Sequence, residues 1–324
     1  MSYKSVWDFG RAGVANYSVH GLGEYPTKIR PAVVAKIVER FSEAGYVILD
    51  PFCGSGTVAV EAKLQGRSSV NYDVNPQAVE LTQAKLNRLD RAEMDAALRF
   101  LLQEATAEAA NGNGAYERAR LEKEIARLKS RLAELADEGA AIHNTTHAAA
   151  VGDARRLDLA DESVDAVITD IPYAGMVPYS AAPEDLSTQD YDGFLGGVGA
   201  AFNEIYRVLK RDKYFILFVA DYRVGASRKI IPVHADLIRA CSEIGFELFD
   251  LYVWRYYRSG AFRPFGKKPY QAMNVHSYIL CFHKPGVAKL EKANRPVRYR
   301  ARLKEKLEAL KGDPRDCLFG TEAH

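Results

Sequence analysis

The sequence is poor in cysteine and contains no long apolar run. Its 324 residues include only four cysteines, which stand far apart at Cys53, Cys241, Cys281 and Cys317. No CxxC pair or Cys/His spacing typical of zinc ligands occurs, so we expect reduced thiols, no disulfide framework and no metal site. No apolar run approaches the roughly 18 to 20 residues of a membrane-spanning helix, and the N-terminal run MSYKSVWDFGRAG lacks the apolar core of a signal peptide. These absences predict a cytoplasmic protein that does not associate with membranes.

A strong net charge is also lacking, since the sequence has 44 basic and 42 acidic residues and a formal charge of +2. A balanced total leaves room for a local basic face. One such face is predicted between Trp254 and Lys268, where tyrosines and phenylalanines separate basic residues without any acid: Arg255, Arg258, Arg263, Lys267 and Lys268. Basic residues mixed with aromatics are typical of a nucleic-acid contact, the alternative being a merely solvated surface. A basic tail follows over residues 286–324.

Short β-branched runs alternate with helical patterns along most of the chain. This alternation predicts an α/β fold of the Rossmann-like type, with a mainly parallel seven-stranded sheet and crossover helices. The predicted strands cover residues 46–50, 68–73, 148–151, 164–170, 213–221, 246–254 and 276–283. The predicted helices cover residues 31–44, 57–66, 76–108, 191–210 and 232–244.

One segment, residues 91–145, departs from this alternation. Its composition shifts to Ala, Glu, Arg and Leu, and five apolar residues recur at helical spacing: Leu121, Ile125, Leu128, Leu132 and Leu135. The AsnGlyAsnGly run at 111–114 is a strong helix break, so we predict an inserted helical hairpin that projects from the sheet domain. It separates residues 1–90 from residues 146–285. The hairpin suits packing or dimerisation as well as it suits substrate contact.

A glycine-rich loop follows the first core strand in the run VILDPFCGSGT at residues 47–57. Gly54 and Gly56 allow the backbone to turn sharply and to approach a ligand at the N-terminus of the next helix. The same spacing satisfies the dinucleotide fingerprint. The ligand of the loop could therefore be NAD or S-adenosylmethionine, and Asp50 distinguishes the two. A carboxylate repels the diphosphate of NAD and favours a ligand that carries an ammonium and a sulfonium, so we expect S-adenosylmethionine. The loop residues in this prediction are Asp50, Pro51, Phe52, Gly54, Ser55, Gly56 and Thr57.

Two later strand ends complete the predicted cofactor site. Asp73 closes the second strand in the run NYDVNP, which also contains Asn75. Its carboxylate is placed to accept hydrogen bonds from ribose hydroxyls. Asp153 follows the third strand in the run VGDARRLDL, where a short acidic turn can address the adenine amino group.

The run TDIPY follows directly on the apolar strand VDAVI and places Asp170, Ile171, Pro172 and Tyr173 at a strand end. Together with the loop DPFCGSGT, this run resembles the motifs of the DNA amino-methyltransferases, the N6-adenine and N4-cytosine enzymes. Their catalytic motif is Asp, Asn or Ser followed by Pro-Pro and an aromatic residue. The resemblance extends to the runs NEIYRVLKRDKYFILFVAD and NVHSYILCFHKP and covers about residues 20–90 and 148–285. It departs at Ile171, which stands where the family has its first proline.

The resemblance implies an S-adenosylmethionine-dependent methyltransferase with the seven-stranded sheet of that class. Its target would be the exocyclic amino group of a DNA base, and the aspartate favours adenine N6. It also implies that the Asp170 carboxylate and the Ile171 carbonyl accept the amino hydrogens, while Pro172 stiffens the turn and Tyr173 stacks on a flipped base. Lys28, in the run KIRP, resembles part of the family's N-terminal cofactor-binding element.

Several alternatives stay open. N4-cytosine enzymes share both motifs, and guanine-N2 methyltransferases of tRNA carry similar motifs in the same order, usually behind a separate RNA-binding domain. A protein that keeps the fold and binds nucleic acid without catalysis is a further alternative. C5-cytosine enzymes need a nucleophilic Pro-Cys pair, and no cysteine of this chain follows a proline. The expected partner is therefore DNA, with RNA as the alternative, and a homodimer through residues 91–145 is an open option.

Overall fold

The computed structural model describes residues 6–8, 17–26, 28–111, 115–175, 179–180, 182–224, 229–255 and 276–286. Its contacts divide the chain into two units, Met1–Lys284 and Pro285–His324. The first unit holds all the elements named below, and the described residues of the second are Pro285 and Gly286. No helix within these described ranges combines the length and the apolar character needed to cross a bilayer.

The described strands are β1 Val6–Asp8, β2 Val47–Asp50, β3 Ser68–Asp73, β4 His147–Val151, β5 Val164–Asp170, β6 Leu209–Val219, β7 Tyr222–Val224, β8 Lys229–Ile231, β9 Glu247–Arg255 and β10 His276–Lys284. Eight of them form one sheet in the order β1-β9-β10-β6-β5-β2-β3-β4, and β7 pairs with β8 in a small ribbon. Strand β10 is antiparallel to β6 and β9, whereas the other pairs of the large sheet are parallel. Seven strands confirm the predicted Rossmann-like sheet. The edge strand β1 and the ribbon are additions that the sequence patterns do not predict.

The described α-helices are α1 Pro31–Phe41, α2 Thr57–Leu64, α3 Pro76–Arg88, α4 Arg91–Asn111, α5 Ala115–Ala136, α6 Tyr191–Val208 and α7 Val233–Ile244. The prediction of one helix over residues 76–108 is wrong, because the chain turns between α3 and α4. The Asp90 carboxylate accepts a hydrogen bond from Glu93 N at 2.9 Å and so caps a new helix. Strand β6 also begins at Leu209, earlier than predicted.

Strand β5 shows how the sheet separates two apolar cores. Val167 belongs to the core beneath α6 and α7, whereas its neighbours Ala166 and Ile168 belong to the core beneath α1. Such alternation is expected of a strand that is covered on both faces. Polar residues at the carboxyl ends of these central strands are therefore candidates for the ligand site.

The inserted hairpin, formed by α4 and α5, buries its apolar stripe against α2. Leu98 of α4, with Leu128 and Leu135 of α5, shares a third apolar cluster with Leu64 of α2. The helical insertion is thus confirmed. It does not project free of the sheet domain as predicted, because its leucine stripe needs an apolar partner and finds one in α2.

Candidate active site

A pocket opens at the carboxyl ends of β2, β3 and β5, the edge at which parallel α/β sheets bind ligands. Ten of the residues predicted from sequence line it: Asp50, Phe52, Gly54, Ser55, Thr57, Asp73, Asp153, Asp170, Ile171 and Pro172. The glycine-rich loop and the turn at residues 170–173, which is predicted to be catalytic and is called the catalytic turn below, are far apart in sequence but meet at this cavity.

The glycine-rich loop connects β2 to α2. Gly54 and Gly56 have φ values of +48° and +75°, in the left-handed region that favours glycine. A Cβ on Gly56 would lie 2.6 Å from Thr82 Oγ1, so a larger residue would clash. The Gly54 N–H donates to Asp73 Oδ2 at 2.9 Å, and the Asn75 N–H donates to Asp73 Oδ1 at 2.9 Å. Asp73 thus anchors the loop and also lines the pocket.

Two acidic side chains, Asp50 and Asp170, end the neighbouring strands β2 and β5. Asp50 is 3% exposed and accepts a hydrogen bond from Thr169 Oγ1 at 2.6 Å. Burial raises the pKa of Asp50 to about 7. Burial, with the nearby charge of Asp50, raises the pKa of Asp170 to about 8. Neither carboxylate forms an ion pair within the described part of the chain, so both favour a cationic ligand beside them.

The catalytic turn rests on the apolar core. Ile171 is 2% exposed and belongs to the core beneath α6, which accounts for an apolar side chain at this position. Tyr173 lies behind the turn: its hydroxyl accepts from Ala220 N at 2.9 Å and donates to Asp170 Oδ1 at 3.5 Å. Its ring meets Tyr222 edge-on. Tyr173 therefore helps to orient the Asp170 carboxylate. Stacking of the Tyr173 ring on a base stays a prediction.

Four predicted cofactor residues are absent from the pocket lining that the described residues form: Lys28, Pro51, Gly56 and Asn75. Lys28 Nζ donates to Gly23 O at 2.7 Å, while the adjacent Ile29 lines the pocket. Asn75 caps α3 by accepting from Gln77 N at 3.0 Å, and it donates to Tyr179 O at 2.8 Å. Asn75 thus holds the pocket residue Tyr179, whereas the hydrogen bond of Lys28 goes to Gly23, outside the described lining of the pocket.

Asp153 and Arg255 lie at the same edge of the sheet. The Asp153 carboxylate lines the pocket and pairs with Arg155 at 2.7 Å. Arg255 ends β9, which runs in the same direction as β5 because β10 is antiparallel to both β6 and β9. The other predicted nucleic-acid contacts fall outside the described residues: Arg258, Arg263, Lys267 and Lys268. Their role stays a prediction.

Two segments of the pocket wall were missed by the sequence patterns. Tyr25 and Tyr179 line the pocket and stack with their ring centroids 6.0 Å apart. The neighbouring Asp185 is 2% exposed, and its carboxylate accepts from Ser180 N at 2.7 Å and Ser187 N at 2.9 Å. Asp185 thus fixes this wall. The only sequence signal for it is a short run of polar and aromatic residues after the catalytic turn.

A family model described as DNA methylase, N6_N4_Mtase, matches residues 1–84 and 164–319 of the chain. The two matched segments cover about three quarters of the sequence and leave out the inserted hairpin. They contain both the glycine-rich loop and the catalytic turn.

Individual relatives match over shorter stretches. The chain is 35% identical over 72 residues to Type II methyltransferase M.MjaII of Methanocaldococcus jannaschii, a match that covers 22% of this chain and 14% of that protein. It is 32% identical over 88 residues to DNA adenine methyltransferase YhdJ of Escherichia coli K12, covering 27% of this chain and 28% of that protein. The solved structure of TTHA0409, a putative DNA modification methylase of Thermus thermophilus complexed with S-adenosyl-L-methionine, is 28% identical, covers 42% of this chain and 52% of that chain, and has a TM-score of 0.32.

Proposed function

The chain belongs to the N6/N4 DNA methylase family, and from this premise we propose that it is an S-adenosylmethionine-dependent methyltransferase acting on the exocyclic amino group of a DNA base. One observation carries the proposal: the glycine-rich loop and the catalytic turn line the same pocket. Methyl transfer requires this arrangement, because the donor and the acceptor have to be held next to each other.

The residues present suit S-adenosylmethionine as the cofactor. Its sulfonium and ammonium are cationic, and Asp50 and Asp170 are acids without an ion pair among the described residues. A Cβ on Gly54 would lie 3.1 Å from the Tyr25 ring, so the glycine keeps the backbone close to the pocket. Asp73 retains lone pairs for ribose hydroxyls beyond its two backbone donors. A diphosphate gains no attraction from these two acids and would be repelled by their ionised forms, which disfavours NAD.

When bound, S-adenosylmethionine supplies an electrophilic methyl group. The exocyclic amine of a base is a weak nucleophile, because its lone pair is delocalised into the ring. The Asp170 carboxylate and the Ile171 carbonyl are proposed to accept its two N–H groups and to favour a pyramidal nitrogen aimed at the methyl carbon. Tyr173 keeps Asp170 oriented through its hydroxyl. No side chain has to form a covalent intermediate.

The protonation of Asp170 links cofactor binding to this chemistry. Its pKa of about 8 leaves the carboxyl mainly neutral at pH 7. A cationic ligand nearby favours the ionised carboxylate and lowers that pKa. We therefore expect cofactor binding to release protons and to convert Asp170 into the stronger hydrogen-bond acceptor.

Adenine N6 is the atom that we favour as methyl acceptor. Aspartate at position 170 matches the adenine enzymes better than serine, the commoner choice of cytosine-N4 enzymes, and one matched relative is named a DNA adenine methyltransferase. Cytosine N4 presents the same kind of amino group to the same acceptors. Identification of the methylated nucleoside distinguishes the two.

DNA contact is proposed for the basic and aromatic stretch that follows Arg255. Changing Arg258, Arg263 and Lys267 together to Ala should weaken DNA binding and reduce the slope of log K against log salt by about 0.9 for each phosphate that is no longer neutralised. Cofactor affinity should stay unchanged. Fluorescence anisotropy across a salt series measures the slope, and an unaltered slope would show that this stretch is a plain solvated surface.

The direct test of the proposed function is methyl transfer from labelled S-adenosylmethionine. Purified protein is incubated with the labelled cofactor and DNA, and in parallel with RNA, while Asp170→Ala serves as the inactive control. Label in DNA that depends on Asp170 supports the proposal. Label in RNA alone would move the protein to the RNA enzymes, and binding of NAD without S-adenosylmethionine would end the proposal.

A further inference from the structure

The helix behind the glycine-rich loop carries a buried ammonium that the proposed chemistry does not use. Lys85 of α3 is 0% exposed, and its Nζ donates to Ser55 O at 2.6 Å. Burial, with a smaller contribution from the like charge of Lys28, lowers the pKa of Lys85 to about 8. Burying an ammonium opposes folding, so a lysine that points at this loop calls for a functional reason.

The carbonyl that Lys85 binds belongs to the peptide unit that closes the loop. A trans peptide directs its C=O and its N–H to opposite sides. The C=O of the Ser55–Gly56 unit points at Lys85, and the Gly56 N–H donates to Cys53 O at 2.8 Å. Lys85 therefore holds one end of the peptide whose other end closes the turn.

Thr82 of the same helix holds the preceding peptide unit. Its Oγ1 donates to Gly54 O at 3.3 Å. The Ser55 N–H of that unit consequently points away from α3. Two successive carbonyls of the loop are thus fixed by neighbouring side chains of one helix face, and Gly54 and Ser55 themselves line the pocket.

We infer that Lys85, assisted by Thr82, is a positioning residue for cofactor binding, which holds Gly54 to Gly56 in the shape that receives S-adenosylmethionine. This inference rests on the proposed function. Lys85 acts through the loop and not by contact, since it is not among the described residues that line the pocket. Its loss should raise the Kd and KM for the cofactor and spare kcat at saturating cofactor.

The test compares two lysines that make the same kind of hydrogen bond. Lys85→Met removes the ammonium at similar volume, and Lys63→Met is the matched control, because Lys63 Nζ donates to Leu86 O at 2.8 Å, outside the loop. Calorimetry with S-adenosylmethionine on the full chain should show a roughly 10-fold or larger rise in Kd for Lys85→Met and a change below about 3-fold for Lys63→Met. Lys85→Arg should recover part of the loss, and kcat of Lys85→Met at saturating cofactor should match the wild type.

Wild-type affinity in Lys85→Met, or an equal loss in Lys63→Met, would overturn the inference and leave the proposed function standing. A wild-type chain that binds no S-adenosylmethionine would instead contradict the proposed function. If Lys85→Met does not fold, Thr82→Val and Thr82→Ser apply the same test. The valine variant should bind the cofactor more weakly than the serine variant, which keeps the hydroxyl, and equal affinities would overturn the inference.

Discussion

Two clusters of acidic side chains in this chain differ in the partners that surround their carboxylates. The first cluster lies where the inserted hairpin packs on α2, and we call it the hairpin junction. There, Glu61 of α2 is 1% exposed and accepts hydrogen bonds from the Tyr17 hydroxyl and from His20 Nε2. In the pocket, Asp50 and Asp170 have raised pKa values, caused first by burial, and form no ion pair in the described part of the chain. Glu61 thus lies beside a histidine of its own chain, whereas the two pocket acids accept hydrogen bonds from Thr169 and Tyr173 but pair with no basic side chain among the described residues.

This difference in partners distinguishes an acid that stabilises the fold from acids that are suited to bind a ligand. Polar groups that only hold a fold together are normally satisfied within the fold, since an unsatisfied buried group costs free energy. The Glu61 carboxylate at the hairpin junction follows that rule. Acidic groups that have no basic partner among the described residues favour a positively charged ligand, and strongly shifted pKa values tend to cluster at ligand sites.

The largest expected effect is the loss of methyl transfer in Asp170→Ala. The variant has no carboxylate to accept the amino hydrogen, so the rate should fall by about 100-fold to 1,000-fold or more. Asp170→Asn should lose less, because its amide oxygen can still accept one hydrogen bond. Single-turnover assays give the rates and calorimetry the cofactor affinity. Full activity in Asp170→Ala would remove the pocket's acids from the mechanism.

The second largest effect should be a loss of cofactor affinity in Asp73→Ala. Asp73→Ala loses the acceptor of the Gly54 and Asn75 N–H groups and the proposed ribose contact, so the Kd for S-adenosylmethionine should rise about 10-fold to 100-fold. Asp95→Ala is the control, because Asp95 pairs with Arg99 on the surface of the hairpin. Calorimetry on both variants is sufficient. Equal affinities would show that Asp73 supports only the loop's own turn.

The smallest effect, on stability, should have opposite signs in the two clusters. The folded pKa of Asp170 is raised, so its contribution to stability is complete below its unfolded pKa and is lost as pH rises through about 8. Asp170→Asn should therefore gain in Tm relative to the wild type as the pH is raised from 5 to 9, by roughly 2 °C or more, after allowance for partial solvent exposure. Glu61→Gln should lower the Tm by a similar amount without changing cofactor affinity. Scanning calorimetry at both pH values checks the signs, and stabilisation by Glu61→Gln would reverse the contrast.

Sequence patterns anticipate the sheet better than the connections. The β-branched runs and the strand-ending Asp50, Asp73 and Asp170 are local signals, and they place the pocket at the correct edge. The break at Asp90 was missed, because one capping hydrogen bond decides it within a continuous helical pattern. Pocket residues such as Tyr25 and Tyr179 were missed for a different reason. Their role depends on a long-range contact between two loops, which no periodicity encodes.

Methylation of an exocyclic amino group in DNA can be tested by mass spectrometry of nucleosides from treated DNA. Unmethylated DNA is incubated with the protein and S-adenosylmethionine that carries a deuterated methyl group, then digested to nucleosides. We predict labelled N6-methyladenine, which should be absent from the reaction with Asp170→Ala. Labelled N4-methylcytosine would keep the amino-group chemistry and change the base. A label on a ring carbon, or none in any DNA nucleoside while the protein binds cofactor and DNA, would contradict the account.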